Sequence, residues 1–238
     1  MSHAPDADQL ARNLGKVRER MAAAAGRAGR EPAEVTLLAV SKTFGAGAVR
    51  ALAGAGQRAF AESYVQEAMD KLDATADLDL EWHFIGPLQS NKAKLVAPGF
   101  AFVHSVDRLK IARALDRHRA GLPPLDICLQ VNVSGESSKS GCAPGDLAGL
   151  AAAVAAECPN LRPRGLMAIP APGTDPEDSR PAFRRLAALL AGLRQEGPEA
   201  PWDVLSMGMS SDFEVAIEEG ATHVRVGSAL FGERDYSN

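Results

Sequence analysis

The 238 residues of this chain could form one large α/β domain or two small ones. Its 26 basic and 30 acidic side chains give a net charge of -4, so it lacks the basic excess that would bind nucleic acid or an anionic membrane. Three cysteines without a C-x-x-C pair argue against disulfides and zinc, and we expect no metal site. Because neither a signal peptide nor a long apolar span is evident, we expect a cytoplasmic protein.

An amphipathic helix is predicted at the start of the chain, within residues 1–30, and we expect it to pack on the following domain. Its apolar positions Leu10, Leu14, Val17 and Met21 recur at three- and four-residue steps. Short apolar runs then alternate with helical patterns. The predicted strands cover residues 35–42, 59–63, 82–86, 101–106, 126–133, 164–169, 203–208 and 223–228. The predicted helices cover residues 46–54, 65–72, 108–119, 147–157, 182–194 and 213–218.

This alternation predicts the fold class. Strands joined through helices lie parallel, with both sheet faces buried. Eight such units predict an α/β protein, a single (β/α)8 TIM barrel over residues 31–238 with an extra N-terminal helix. The whole chain would then be one domain. A doubly wound open sheet is the alternative.

Lys42 is the sharpest candidate for chemistry. Reactive groups of a parallel barrel lie at the C-terminal ends of its strands, and Lys42 follows the first apolar strand there. A partly desolvated lysine amine can attack an aldehyde and form a Schiff base. Alternatively, the side chain of Lys42 simply reaches solvent. By the same rule His83 and His104 also fall at the predicted mouth of the barrel.

Two turns rich in small residues, after the seventh and eighth predicted strands, form a candidate phosphate site. Ser210 precedes one helix, and Gly227 and Ser228 open another. Hydroxyl and N–H groups at such turns can hold phosphate oxygens. Ordinary N-capping by these serines is the alternative.

Arg225 joins the two candidates. It lies two residues before Gly227, so both point the same way from the last strand. A lysine amine, a phosphate site and an arginine near the ring nitrogen are the parts expected of a pyridoxal 5′-phosphate (PLP) site. The alternative is an ion pair of Arg225 with Asp212 or Glu62.

Several motifs in order resemble one family, the pyridoxal phosphate homeostasis proteins, whose fold is similar to the N-terminal barrel of alanine racemase. They are LLAVSKTF, EWHFIGPLQSNK, HSVDR, SSKSG, RGLMAIPAP, LSMGMSSDFEVAI and VRVGSALFGERDY. The resemblance implies PLP on Lys42, phosphate contacts from Ser206 or Ser210 and from Gly227 and Ser228, and Arg225 facing the pyridine nitrogen. The full predicted cofactor-binding set is Lys42, Ser63, Met167, Ser206, Ser210, Arg225, Gly227 and Ser228.

The chain departs from this family at three positions. Ala61 and Ser63 stand where the family usually has glycine and asparagine, and we expect Ser63 to lose one hydrogen bond near the cofactor ring. Ser228 stands where threonine is more usual, a change that keeps the hydroxyl group. Lys42 and Arg225 are retained, so we expect PLP binding to persist.

The resemblance implies a PLP-binding protein that stores or delivers the cofactor, without strong catalytic activity and with no catalytic residue. An arginine at the pyridine nitrogen weakens the ring as an electron sink, and we expect no second domain that could supply another base. Tyr64, Tyr236 and His83 are the conceivable bases. The expected partners are PLP and apo PLP-dependent enzymes, and the expected state is a monomer. The alternatives are a PLP-dependent racemase and a barrel for another phosphorylated ligand.

Overall fold

A closed barrel of parallel strands organises the structure, a computed structural model that describes residues 6–136, 139–171 and 173–232. The strands follow chain order around the barrel, and the last one pairs with the first. They are β1 (Thr36–Val40), β2 (Ala59–Glu62), β3 (Glu81–Phe84), β4 (Phe102–Val106), β5 (Leu125–Gln130), β6 (Leu161–Met167), β7 (Val204–Ser206) and β8 (His223–Val226). The predicted (β/α)8 barrel is confirmed, and the open sheet is wrong.

Helices surround the barrel. They are α1 (Ala7–Arg27), α2 (Ala46–Gly54), α3 (Val65–Ala74), α4 (Ala93–Gly99), α5 (Leu109–Arg119), α6 (Leu147–Glu157), α7 (Arg180–Glu196), α8 (Phe213–Glu218) and α9 (Ser228–Phe231). The prediction missed α4, because seven residues with Pro98 among them carry too little helical periodicity. Among the described residues, no helix is long and apolar enough to cross a membrane.

The predicted N-terminal helix is α1, and it packs on the barrel wall. Asp6 caps it by accepting a hydrogen bond from the Gln9 N–H at 2.7 Å. Its apolar stripe is buried, and the helix contacts α2, α8 and α9. Asn13 Nδ2 donates to the Leu230 carbonyl at 2.7 Å, which ties α1 to the short helix α9 at the mouth of the barrel.

Strand alternation decides which side chains fill the barrel. Leu38 and Val40 of β1 pack inward against Ala59 and Ala61 of β2, whereas Leu37 faces the helices. Continuing the inward series of Leu38 and Val40 by two residues places residue 42 on the inside of the mouth. The apolar strand therefore delivers one lysine to the place where this fold binds ligands.

Three histidines form a cluster in the barrel, in which His83 and His104 are buried and His223 is partly buried. His83 Nδ1 and His104 Nε2 are 2.9 Å apart, and each ring centroid lies 5.9 Å from that of His223. Because His223 precedes Arg225 by two residues on β8, the cluster lies one layer farther from the mouth. The expectation that His83 and His104 reach the mouth is wrong, since their side chains are 1% and 0% exposed inside the barrel.

The histidine cluster predicts a loss of stability in acid. Burial lowers the pKa of His223 to about 3 and lowers that of His104 well below its usual value, with the nearby His83 acting in the same direction. Below pH ~6.5 the unfolded chain therefore binds more protons than the folded one, at up to about 1.4 kcal/mol per pH unit for each histidine. Urea unfolding at pH 7.5 and 5.5 should show a lower free energy of unfolding at pH 5.5.

The matched variants for this test are His223→Gln in the cluster and His118→Gln at an exposed position of α5. The first should flatten the pH dependence between 7.5 and 5.5, and the second should leave it as it is. A wild-type stability that does not fall with pH over this range would contradict the prediction.

Candidate functional site

A cavity of about 280 Å³ opens at the C-terminal mouth of the barrel. Its lining comes from β1, from β8 and from the segments that follow β1, β2, β3, β6, β7 and β8. The lining residues are Val40, Lys42, Ser63, Ile85, Ile169, Met209, Ser210, Ser211, Arg225, Gly227 and Ser228. Six of the eight predicted cofactor-binding residues are among them. The barrel therefore brings together groups that lie as far apart in the chain as residues 42 and 228.

Lys42 enters this cavity from the end of β1. Its side chain is partly buried, and the chain turns away immediately afterwards, because Thr43 has a φ of 72°. Lys42 lines the same cavity as Gly227 and Ser228. A lysine on the opposite end of the barrel from these turns would have made the predicted PLP site impossible.

The turns after β7 and β8 are tied to each other at the cavity wall. Ser210 Oγ accepts hydrogen bonds from the N–H groups of Gly227 at 3.2 Å and Ala229 at 3.3 Å. Two backbone donors thus converge on one oxygen atom, which is the arrangement that a phosphate oxygen requires. Ser210 is not the N-cap of α8, which is Asp212, but its hydroxyl accepts from the N–H groups at the start of α9, so the predicted capping alternative holds for Ser210 at that helix instead.

Arg225 is a buried cation between Lys42 and the barrel core. Its guanidinium donates to Ser206 Oγ and to the Ala168 carbonyl, both at 2.9 Å. Burial lowers the pKa of Arg225 to about 10, so it still carries its charge at neutral pH.

The predicted alternative, an ion pair of Arg225 with Glu62 or Asp212, is wrong. Glu62 bonds to Lys71 and Ser41, and Asp212 accepts from Ser179 Oγ and the Met209 N–H. Both carboxylates are therefore hydrogen-bonded to residues other than Arg225. Arg225 faces the cavity, and among the described residues its hydrogen-bond partners are one hydroxyl group and one carbonyl group.

Two predicted residues lie deeper than the cavity lining. Ser206 is fully buried and accepts the hydrogen bond from Arg225, while Met167 packs against Phe102 and Cys128 inside the barrel. The lining instead includes Ile85, Ile169 and Met209, which the prediction missed. The signal that could have found Ile85 and Ile169 is their place just after β3 and β6.

Gly86 shapes the cavity without lining it. A Cβ atom on Gly86 would lie 2.0 Å from the carbonyl oxygen of Ser63, a contact that real Cβ atoms essentially never make. The chain after β3 can therefore approach the Ser63 backbone only because residue 86 is glycine.

The residues present fit PLP. Two converging N–H groups and the hydroxyl groups of Ser210 and Ser228 suit a phosphate, and Lys42 supplies an amine for the aldehyde. Val40, Ile85 and Ile169 give the cavity apolar walls that suit an aromatic ring. Arg225 supplies the donor expected near the ring nitrogen.

Known proteins share this architecture. The family described as alanine racemase, N-terminal domain, matches residues 6–235. A pyridoxal phosphate homeostasis protein of Pseudomonas aeruginosa is 59% identical over 95% of this chain and 96% of its own length. One of Escherichia coli is 52% identical over 97% and 99%. The structure of PipY of Synechococcus elongatus with PLP bound superposes with a TM-score of 0.81 at 37% identity, covering 94% of this chain and all of PipY. This chain therefore belongs to the pyridoxal phosphate homeostasis protein family, built on the alanine racemase N-terminal barrel.

Proposed function

We propose that this chain binds PLP at the mouth of the barrel, joined covalently to Lys42, and stores or delivers it in the cytoplasm without strong catalytic activity. The observation that carries the proposal is that Lys42, Arg225 and the converging N–H groups of Gly227 and Ala229 belong to one site. The relatives are named for PLP homeostasis, and the structure of PipY has PLP bound. We further propose that residues 1–30 and 31–238 act together as one domain and that the protein is a monomer.

Each residue has one task in this proposal. The Gly227 and Ala229 N–H groups and the Ser210 and Ser228 hydroxyl groups hold the phosphate, and Lys42 Nζ holds the aldehyde carbon. Arg225 donates to the ring nitrogen. Ser63 borders the ring, and Met167 and Ser206 support the site from beneath. When bound, PLP supplies a reactive aldehyde and a ring able to withdraw electrons.

The surroundings of the cavity favour a carrier over an enzyme. Arg225 remains charged and cannot easily give a proton to the ring nitrogen, which keeps the ring a weak electron sink. Of the conceivable bases, His83 is buried within the barrel and Tyr64 is 58% exposed at the rim. Tyr236 lies outside the described residues.

Delivery requires another amine to displace Lys42. Lys139 lines a second cavity that shares Ile85 and Ile169 with the first one, so it lies close to the mouth. It is the candidate within this chain for assisting release, and apo PLP-dependent enzymes are the proposed recipients.

Borohydride reduction tests the proposed site directly, because it fixes PLP to the lysine that carries it. We expect peptide mapping of the reduced protein to find PLP on Lys42, and we expect Lys42→Ala to lose that labelled peptide. Lys94→Ala, on the outer helix α4, is the matched control and should be labelled at Lys42 as in the wild type. A wild-type protein labelled elsewhere, or not at all, would refute the proposed site.

Two measurements distinguish the racemase alternative from the proposed carrier: turnover of alanine and transfer of PLP to an apo-enzyme. Turnover of L- or D-alanine by the loaded protein at ~1 per second or faster would favour an enzyme. Transfer of PLP to an apo-enzyme faster than its spontaneous dissociation supports delivery, and transfer no faster than dissociation reduces the function to storage.

A further inference from the structure

Lys71, on the outer face of the barrel, is a buried lysine with three hydrogen bonds. It is 3% exposed and donates to the Ser41 carbonyl at 2.7 Å, to Glu62 Oε1 at 2.5 Å and to Glu67 Oε1 at 2.6 Å. These three bonds satisfy all the donors of its ammonium group. We call Lys71, Glu62 and Glu67 the clamp.

The bonds of the clamp end on the two residues that flank Lys42. Ser41 is held twice, because its carbonyl accepts from Lys71 and its hydroxyl donates to Glu62 Oε1 at 2.5 Å. Thr43 is held once, because its N–H donates to Glu67 Oε1 at 2.5 Å. The peptide units before and after Lys42 are thus both fixed from the outer wall of the barrel.

The turn that the clamp holds has a strained backbone. Thr43 has a φ of 72°, in the left-handed region that a β-branched residue rarely adopts. Such a conformation persists only where the surroundings enforce it. It is this turn that sends the chain out of the barrel while the Lys42 side chain stays in the cavity.

The clamp also carries an electrostatic cost that packing alone would not require. Burial raises the pKa of Glu62, and the adjacent Lys71 charge and the hydrogen bonds from Lys71 and Ser41 oppose that rise. Replacing such a buried pair with apolar side chains is often neutral for stability or even favourable. A role beyond stability accounts for its presence beside the strained turn.

We propose that Lys71, Glu62 and Glu67 are positioning residues, which hold the turn at Ser41 and Thr43 so that the amine of Lys42 meets the aldehyde of PLP. This inference rests on the proposed function and adds to it how the reactive lysine is aimed. Among the described residues, the clamp forms no hydrogen bond with Arg225 or with the groups of the proposed phosphate site, which are Ser210, Gly227, Ser228 and Ala229. It should therefore govern the covalent step, in which the Lys42 nitrogen would bond to the aldehyde carbon and the aldehyde oxygen would leave as water, while leaving the affinity for the rest of the cofactor unchanged.

Glu67→Ala is the main test, because Glu67 is partly exposed and its removal endangers folding less than removal of Lys71. We expect the rate at which PLP becomes attached to fall by about 10-fold or more, as for a reactive group moved out of line. Pyridoxine 5′-phosphate has the same phosphate and ring but no aldehyde, and its affinity should stay within about twofold, well under the 1.4 kcal/mol that a tenfold change represents. Glu214→Ala is the matched control, since Glu214 also pairs with one basic side chain and has a similar exposure of 25% against 27%.

A double-mutant cycle with Thr43→Gly separates aiming from general support. Glycine adopts the left-handed turn without strain, so Glu67→Ala should slow attachment much less when residue 43 is glycine. Borohydride mapping should show a smaller share of PLP on Lys42 in Glu67→Ala than in the wild type, and Lys71→Arg should retain more of that share than Lys71→Met.

The outcomes distinguish this inference from the proposed function. If the wild type carries no PLP on Lys42, both fail. If the wild type is labelled at Lys42 but Glu67→Ala attaches PLP at the wild-type rate, the clamp alone is refuted. A parallel loss of attachment rate and of pyridoxine 5′-phosphate affinity also overturns it, because a general structural role would produce that result.

Discussion

Gly86→Ala is expected to lower the free energy of unfolding by about 3 kcal/mol and to weaken PLP binding as well, because the added atom overpacks the wall of the site. The new Cβ would lie 2.0 Å from the Ser63 carbonyl oxygen and 2.7 Å from its Cα, and neither backbone atom can give way cheaply. The Ser63 backbone must shift, and Ser63 lines the cavity. Urea unfolding and a PLP titration on the same variant measure the two effects.

Gly47→Ala is the matched control for this substitution. Gly47 lies inside α2, and a Cβ there would meet nothing within 4 Å. Alanine should therefore stabilise the helix by up to about 1 kcal/mol and leave PLP affinity unchanged. A Gly86→Ala protein as stable as the wild type, with unaltered PLP affinity, would show that residue 86 tolerates a side chain and has no part in shaping the cavity.

Arg225→Gln is expected to reduce PLP affinity by about 10- to 100-fold, the value of one hydrogen bond to or from a charged group. Glutamine is shorter and uncharged, so it cannot reach Ser206 Oγ and the Ala168 carbonyl while also serving the ring nitrogen. Titration of the apo-protein with PLP, followed by visible absorption, measures the change. The absorption of the bound cofactor should also shift, since the charge beside the ring is gone.

Arg20→Gln is the control for loss of an arginine. Arg20 forms an exposed ion pair with Glu214 on the outside of the barrel, and such pairs contribute about 0–1 kcal/mol to stability. Its PLP affinity should equal that of the wild type. If Arg225→Gln binds PLP as tightly as Arg20→Gln does, the guanidinium of Arg225 does not contact the cofactor.

Three independent structural features hold the walls of the cavity in place. Gly86 lets one loop approach the Ser63 backbone, Ser210 joins the last two turns, and the clamp fixes the turn that carries Lys42. Gly86 and the clamp act on backbone position alone, whereas Ser210 also offers its hydroxyl group to the proposed phosphate site. Variants at Gly86 and in the clamp should therefore separate the shape of the site from its chemistry.

The sequence by itself determined the barrel and most of the cavity. Short apolar runs predicted the strands. Lys42, two residues beyond β1, and Gly227, one residue beyond β8, were thereby placed at the same mouth. These inferences needed only local pattern and the rule that parallel strands end together. The presence of α4 was beyond them, because a short helix containing Pro98 owes its stability to packing, not to its own residues.

Only the tertiary structure decided which polar groups meet. Ser210 accepts from Gly227 across 17 residues of chain, and Lys71 reaches Ser41 across 30, so no local spacing could reveal either bond. The depth of a side chain inside the barrel is also decided by the tertiary structure. The sequence placed His83 at a strand end but did not show how far inside the barrel it would lie. Local periodicity fixes the face of a side chain, whereas its partners depend on how distant strands and helices come together.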